Sequence, residues 1–297
     1  MKKPEVTFGV IADCQFASGT PDFVGKIWGS DQMFRECYSL SPKKFQEAFD
    51  TFKQNDDVEF VLHLGDYVDR NLDDARVLDD ISNKSGIEVK HLIGNHDLWA
   101  TGGDVQRTMK MLKMGSRYIS EHIGGNDSHY RLIRLDSNEL GPLEHKKGTI
   151  GHQIGVKAVE NMRKEGLLQA YEWNGGFSER QLDWLDVELS HAEKLGEVAI
   201  LSAHHQIFPP HVLDALNATE IIDVIDAHNN VGVFLNGHNH GGAFGTNNGV
   251  NYETLPGMLS GDDNAFGIVS GYDERLEIEG YGRVSDRIIT IPDKAKF

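Results

Sequence analysis

Five apolar runs in this chain each end in a short polar cluster, and that repetition restricts the fold more than any other feature. Phe8-Gly9-Val10-Ile11-Ala12 leads to Asp13-Cys14-Gln15, and Phe60-Val61-Leu62-His63-Leu64 leads to Gly65-Asp66-Tyr67-Val68-Asp69-Arg70. Val89-Lys90-His91-Leu92-Ile93 precedes Gly94-Asn95-His96-Asp97. Val198-Ala199-Ile200-Leu201 precedes His204-His205, and Val231-Gly232-Val233-Phe234-Leu235 precedes Gly237-His238-Asn239-His240. Short apolar runs bounded by turn residues read as buried strands. Polar residues converging outside the carboxyl ends of strands mark the site of an open α/β sheet.

The residue types in these clusters belong together chemically. They supply oxygen and imidazole ligands for two divalent metals, which roughly 3.5–4 Å apart clamp the attacking and leaving oxygens of an in-line phosphoryl displacement. Asp66, at a strand end beside Gly65, is the candidate bridging carboxylate. Asp13 and Gln15 lie two apart, so in extended backbone both side chains point the same way, and His238 and His240 repeat that spacing. Asn95 and His204 complete the set. Any one cluster arises easily by chance, whereas the ordered set does not, and it implies hydrolysis of phosphate esters or anhydrides. Cys14, between two candidate ligands, is expected to point away from them as a small core residue. With Cys37 it makes only two cysteines, so no disulfide framework is implied.

The order D-x-Q, GDxxD, GNHD, a later His and GHNH resembles the calcineurin-like metallophosphoesterase superfamily over nearly the whole chain. The superfamily pattern usually begins D-x-H, and Gln15 in the His position is similar to one subgroup, the manganese-dependent ADP-ribose/CDP-alcohol diphosphatases. Arg35 to Leu40, Gly176 to Leu185, and the C-terminal stretch from Glu253-Thr254-Leu255-Pro256 through Glu279-Gly280-Tyr281-Gly282-Arg283-Val284 support the same subgroup.

The resemblance implies a division of ligands: Asp13, Gln15, Asp66 and His240 for the first metal, and Asp66, Asn95, His204 and His238 for the second. It implies that His96 is the general acid or a phosphate contact, oriented by Asp69; a carboxylate partner keeps such a histidine charged near neutral pH. Arg70 faces phosphate by this analogy, or makes a surface ion pair. His205 is read as a supporting residue. Phe34, Arg35 and Tyr38 are candidate substrate contacts, with aromatics of the 16–40 excursion available to stack on a base. A carboxylate, amide and imidazole set suits Mn²⁺ or Mg²⁺, and imidazole also accepts Zn²⁺, Fe²⁺ or Co²⁺. The amide oxygen of Gln15 favours Mn²⁺, in agreement with the subgroup.

The implied reaction is hydrolysis of the phosphoanhydride in a nucleoside diphosphate-linked compound such as ADP-ribose or a CDP-alcohol, releasing a nucleoside monophosphate. A cyclic-nucleotide or other phosphodiesterase would share every metal ligand. A phosphoprotein phosphatase is suggested by Gly65 to Arg70, but Gln15 and the GHNH motif speak against it. A non-catalytic metal-binding scaffold is the reading from a different class, and retention of His96 weighs against that.

The formal charge of −17 over 297 residues argues against nonspecific nucleic-acid binding, which needs a basic face. It does not exclude a phosphate substrate, because bound metal ions dominate their local field. The sequence shows neither a signal-peptide stretch nor an apolar run long enough to span a bilayer, so a cytoplasmic protein with no membrane association is expected. A single domain over 1–297 is expected too, with a possible substrate-covering insertion at 16–40.

Strands are predicted at 6–12, 58–64, 87–93, 130–135, 197–202, 250–255, 266–271 and 276–280, with a hairpin turn at Asn247-Asn248-Gly249. Helices are predicted over Pro42–Gln54, Leu72–Ser85, Asp104–Leu112, Phe177–Leu195 and Ala218–His228. The Phe177–Leu195 helix opens on a capping-box spacing of Ser178 and Gln181. Leu143–Gly155 reads as loop. This order fits an α/β four-layer α-β-β-α sandwich of two packed mixed sheets flanked by helices, which is also the fold the resemblance implies.

Overall fold

The computed structural model describes residues 3–26 and 33–291. In chain order the strands are β1 (Val6–Ile11), β2 (Phe23–Lys26), β3 (Met33–Glu36), β4 (Phe60–His63), β5 (Glu88–His91), β6 (Ile119–Ile123) and β7 (Tyr130–Arg134). They continue as β8 (Val198–Ser202), β9 (Val231–Asn236), β10 (Ala243–Asn247), β11 (Val250–Thr254), β12 (Ala265–Tyr272), β13 (Arg275–Gly282) and β14 (Arg287–Thr290). The helices are α1 (Ser41–Phe52), α2 (Ala75–Ser85), α3 (Asn95–Thr101), α4 (Val105–Met111), α5 (Ile150–Lys164), α6 (Glu179–Lys194) and α7 (Ala218–Asp226).

Two six-stranded sheets form, in the orders β14-β13-β12-β1-β4-β5 and β10-β11-β9-β8-β7-β6. Both are mixed. In the first, β1 pairs parallel with β4 and antiparallel with β12; in the second, β7, β8, β9 and β11 run parallel with β6 and β10 antiparallel at the edges. Phe8, Val10, Leu62, Leu132, Ile200, Val233 and Ile278 belong to one buried apolar layer drawn from both sheets. Alternation along β1 then sends Ile11 to the opposite face, into a second layer with Phe45, Phe49, Leu78 and Leu98 of the helices. The third layer joins β8 and β9 to Leu182, Leu185 and Leu189 of α6 and Ile221 and Ile225 of α7. The result is the four-layer sandwich that the alternation of strand and helix signals predicts.

The helices follow from local chemistry. In α1, Pro42 stands at the first turn, where its missing N–H costs nothing. Phe45, Ala48, Phe49 and Phe52 then recur on one face and are fully buried, each phenyl contributing about 2 kcal/mol of transfer free energy. Ser178 caps α6 by accepting from Gln181 N–H at 3.2 Å. The reciprocal half of the box is made differently: Glu139 Oε2 accepts the Ser178 N–H at 3.1 Å, and Gln181 Nε2 donates to the same oxygen.

Two expectations need correction. Leu143–Gly155 is not wholly loop, because Thr149 caps α5 and the helix begins at Ile150. Gly151, Gly155 and the exposed Ile150 and Ile154 hide its period. The 16–40 excursion contains the two-stranded ribbon β2–β3, which no alternation in the sequence announces. Its aromatics divide: Phe16 and Tyr38 pack down, Phe23 is 54% exposed, and Trp28 and the Phe34 side chain lie outside the described residues. Among the described residues, no helix is long and apolar enough to cross a membrane.

Candidate metal centre

The loops leaving β1 and β4 run side by side, with Asp13 N–H donating to Gly65 O at 3.2 Å and Gln15 N–H to Asp66 O at 2.8 Å. Their side chains do not converge by strand alternation as the spacing suggests. β1 stops at Ile11, and Asp13, Gln15, Asp66 and His238 all adopt left-handed backbone, with φ of 52°, 41°, 58° and 65°. Such conformations cost a non-glycine residue of order 1 kcal/mol or more and gather where a site over-determines them. Each strand ends one or two residues early, and a left-handed residue then turns its side chain inward. Cys14 does point away, with Sγ 3.8 Å from Met258 Sδ in the helix-side core.

Asp66 is the hub. Its Oδ2 accepts from Gln15 Nε2 at 2.9 Å and lies 3.3 Å from His204 Nε2, while Oδ1 accepts the His96 N–H at 2.8 Å. Burial alone would raise this carboxyl, but His204 and His96 beside it hold it well below the usual range. The loop geometry leaves no spare room. A Cβ on Gly94 would fall 2.0 Å from Asp66 Oδ1, and Gly65, at φ 95°, would put one 2.5 Å from His204 Nδ1.

Asp97 explains how the Asp66 turn is held. Its carboxylate accepts the backbone N–H groups of Asp66, Tyr67, Val68 and Gly94 at 2.9–3.2 Å. Asp97 lies in the GNHD cluster, and a carboxylate three residues past a strand-end glycine is a helix N-cap signal; its reach to the Asp66 turn had no sequence signal.

The histidines enter from the second sheet. His204 Nδ1 donates to Leu64 O at 2.8 Å, which fixes its tautomer and turns Nε2 toward Asn95 Oδ1 at 3.0 Å and the Asp66 carboxylate. A neutral imidazole there would oppose its lone pair to two oxygens, an arrangement that a cation between them relieves. Burial disfavours the imidazolium, yet Asp66 raises this histidine to about 9. The donor set therefore fits a divalent ion. Donor atoms of Asp66, His204 and His238 all lie within 4.8 Å of one another.

Asn174 orients His238 by accepting from Nε2 at 2.9 Å. Asp13 accepts the His238 N–H at 3.1 and 3.2 Å, and its Oδ1 lies 3.5 Å from His240 Nε2. On the far side of His240, Nδ1 is 3.2 Å from Ser260 Oγ and 3.7 Å from Glu36 Oε1. The 257–261 loop carrying Ser260 is clamped by two cations. Lys44 Nζ donates to the carbonyls of Gly261 at 2.7 Å and Met258 at 2.9 Å, and Arg283 donates to Gly257 O. Burial, with Arg283 adding to it, draws Lys44 down to about 8.

His96 follows Asn95 in the first turn of α3, and its Nδ1 meets Asp69 Oδ1, leaving Nε2 for the cavity that His96 lines. Burial opposes its protonation, but Asp66 and Asp69 push it up to about 9. His205 is a supporting residue: Nε2 accepts the Gly175 N–H at 3.1 Å, Nδ1 meets Ser137 Oγ at 2.8 Å, and burial lowers it to about 3.

The structure brings Asp13, Gln15, Asp66, Asn95, His204, His238 and His240 to one point and sets His96 and Asp69 beside it. The suggested substrate contacts fare differently. Arg70 pairs with Asp69 at 2.6 Å with its side chain 62% exposed. Arg35 is held by Asp22 and Asp262 at 2.7 and 3.0 Å. Tyr38 is buried and donates to Glu36 Oε2 at 2.8 Å. None of these three lines the cavity of about 350 Å³ over the site, which is bounded instead by Gln15, Glu36, Asn95, His96, Trp99, Leu143, Glu172, Trp173, Leu213, His238, Asn239 and His240. Sequence reasoning missed Glu36, Trp99, Trp173, Asn174 and Ser260; of these, Asn174, before Gly175-Gly176, and Ser260, before Gly261, carry a turn signal.

A two-sheet sandwich whose strand ends gather carboxylate, amide and imidazole donors is the architecture of a dinuclear phosphohydrolase. The chain belongs to the calcineurin-like phosphoesterase family, whose pattern matches residues 6–242. It is accordingly a metal-dependent hydrolase working with divalent ions. It is 28% identical to an Arabidopsis thaliana manganese-dependent ADP-ribose/CDP-alcohol diphosphatase, covering 95% of this chain and 96% of that one. The human protein of the same description is 26% identical over 98% of this chain and 94% of its own length. A dimetal phosphatase from Danio rerio superposes with a TM-score of 0.83 at 24% identity, covering 97% of this chain and all of the other, and so shares the fold.

Proposed function

We propose that this protein hydrolyses the phosphoanhydride of nucleoside diphosphate-linked compounds, of the ADP-ribose or CDP-alcohol kind, to release a nucleoside monophosphate. The observation that carries this reading is the full-length similarity to relatives described by that activity. The Gln15 position in the first motif agrees with it.

Asp13, Gln15, Asp66 and His240 would hold one ion, and Asp66, Asn95, His204 and His238 the other, with Mn²⁺ favoured by the oxygen-rich set. Two such ions, when bound, supply Lewis acidity and neutralise the diphosphate. The chain's own residues do the rest. Asn95, fixed at the start of α3, offers its amide to a phosphate oxygen or an ion. His96, held by Asp69, delivers a proton from Nε2 to the leaving phosphate oxygen. Asp97, bonded to four backbone N–H groups, keeps the Asp66 turn rigid, so little reorganisation is needed as charge develops. Trp99, Trp173, Leu143 and Leu213 supply the apolar walls of the cavity.

The test is Mn²⁺-dependent hydrolysis of ADP-ribose, CDP-choline, cyclic AMP and an aryl phosphodiester, with nucleoside monophosphate followed by chromatography. Preference for the two diphosphates supports the reading. Activity confined to cyclic AMP or the aryl ester would retain the hydrolase and discard this substrate class.

A further inference from the structure

The cavity is chemically lopsided. Part of its lining is the metal-facing set. The rest comes from Trp99, beside the His96 ring, from Leu143, Glu172, Trp173 and Leu213, and from Glu36, whose Oε1 lies 3.7 Å from His240 Nδ1. Among the described residues that line it there is no Lys or Arg, and the non-histidine charges are the two carboxylates Glu36 and Glu172. That is an unusual lining for a site that accepts a dianionic phosphoanhydride. All its positive potential is concentrated at the metal end and on His96, so whatever lies beyond the diphosphate meets carboxylate and indole.

The wall bearing Glu172 is also anchored. Trp173 stacks on Tyr171 at a centroid distance of 4.7 Å and an interplanar angle of 17°. The Arg163 guanidinium lies 5.8 Å over the Tyr171 ring and donates twice to Ala170 O. The next residue, Asn174, bonds to Gln169 O and Val212 O through Nδ2 and to His238 through Oδ1. The segment carrying Glu172 and Trp173 is therefore tied to His238 through Asn174, with the exposed Glu172 side chain projecting from it between the stacked rings of Tyr171 and Trp173 in sequence, and an anchored wall can discriminate.

Resting on the diphosphatase reading, we propose that Glu172 and Trp173 are specificity-determining residues that receive the group carried beyond the diphosphate. They select one that is cationic or uncharged over one bearing a further negative charge. A carboxylate attracts an ammonium and repels an anion, and the electron-rich face of Trp adds attraction for an alkylammonium. Glu36 and Trp99 reinforce the same bias.

The experiment measures KM for three CDP esters of similar size whose alcohol ends in trimethylammonium, hydroxyl or carboxylate, with the Mn²⁺-loaded wild type, Glu172→Gln and Glu172→Lys. The wild type is expected to bind in the order cation, neutral, anion. Glu172→Gln should narrow the cation-to-anion ratio by about threefold to tenfold, the scale of exposed charge pairs, and Glu172→Lys should invert the order. A ratio unchanged in both variants overturns the proposal. If no CDP ester is cleaved, the substrate reading has failed separately, and the same three end groups are then compared on aryl phosphodiesters, where the same order and the same inversion are required. A second readout does not depend on turnover. Phosphocholine should change the tryptophan fluorescence of the wild type more than glycerol phosphate does, and Trp173→Phe should remove most of that difference; equal responses to both ligands count against the wall.

Discussion

Asn174 Oδ1 sits 2.9 Å from His238 Nε2, and this hydrogen bond sets which imidazole nitrogen of His238 faces the Asp66 cluster. Asn174 is itself fixed by Gln169 O and Val212 O, each at 2.8 Å. Partners that orient a metal-binding histidine commonly govern 10–100-fold of metal affinity. Asn174→Ala is expected to weaken Mn²⁺ binding by about that factor, measured by calorimetric titration of the metal-free protein. An unchanged affinity would mean that His238 is oriented by other contacts.

Asp66 and Asn95 should be far less tolerant in activity than in folding. Asp66→Asn and Asn95→Ala are expected to lower turnover by about a thousandfold or more, on the scale of lost electrostatic stabilisation, with unchanged far-ultraviolet circular dichroism. Near-normal turnover in either purified variant would refute the two-ion arrangement.

Asp69→Asn separates the proton-delivery role of His96 from binding. The variant removes the carboxylate that meets Nδ1 and, with Asp66, keeps this ring charged near neutrality. The expected result is a loss of about 10² or more in kcat for substrates with poor leaving groups, and a much smaller loss for a nitrophenyl leaving group that needs no proton. Equal losses on both would assign Asp69 to packing alone.

Acid should unfold this protein steeply, through histidines that are not in the ligand set. His63 has no hydrogen-bond partner for either ring nitrogen and burial lowers it to about 3; burial also draws His91 well below its usual value and His205 to about 3. Unfolded, each titrates near 6.5. Between roughly pH 6.5 and 3 the unfolded chain therefore binds protons that the folded chain refuses. The stability is present above the unfolded value and lost as pH falls, by about 1.4 kcal/mol per pH unit for each histidine. Urea midpoints at pH 7, 5.5 and 4.5 should fall progressively, and His63→Leu should flatten the slope. A slope the same in His63→Leu as in the wild type would sink this account.

Lys44→Met tests the clamp on the 257–261 loop. It leaves the carbonyls of Met258 and Gly261 without their donor, at a cost of about 1–3 kcal/mol in urea unfolding. It should also loosen His240, which meets Ser260 of that loop. Partial rescue of metal affinity by Lys44→Arg is expected; no effect of Lys44→Met on stability would show that Arg283 suffices.

The sequence made the strand ends legible because each apolar run is closed by a polar cluster, and buried parallel strands leave that signature. The histidine and carboxylate donors were legible for the same reason. How they converge was not, since the left-handed backbone of Asp13, Gln15, Asp66 and His238 is imposed by tertiary contacts such as the Asp97 carboxylate, not by local propensity. The cavity walls were the least visible. Trp99 and Trp173 occupy no recurring spacing, and Arg35 and Tyr38, next to them in expectation, are drawn aside by Asp22, Asp262 and Glu36. α5 was misread because its exposed isoleucines and internal glycines erase the helical period.

The position of β1 has a consequence for how the chain is made. Among the described strands it is synthesised before the others, yet it lies inside its sheet, between β4 and a strand that begins only at Ala265. Until residues 265–272 emerge, one edge of β1 stays open, with its carbonyl and amide groups unpaired and Phe8 and Val10 without part of their cover. An open, apolar edge of that kind invites wrong pairing, and long-range closure is slow. A nascent or truncated chain ending before β12 should thus depend on holding factors that a chain including β12 does not need. Asp13, sited just past that strand, cannot find the 257–261 loop or His240 until the C-terminal third of the protein has arrived.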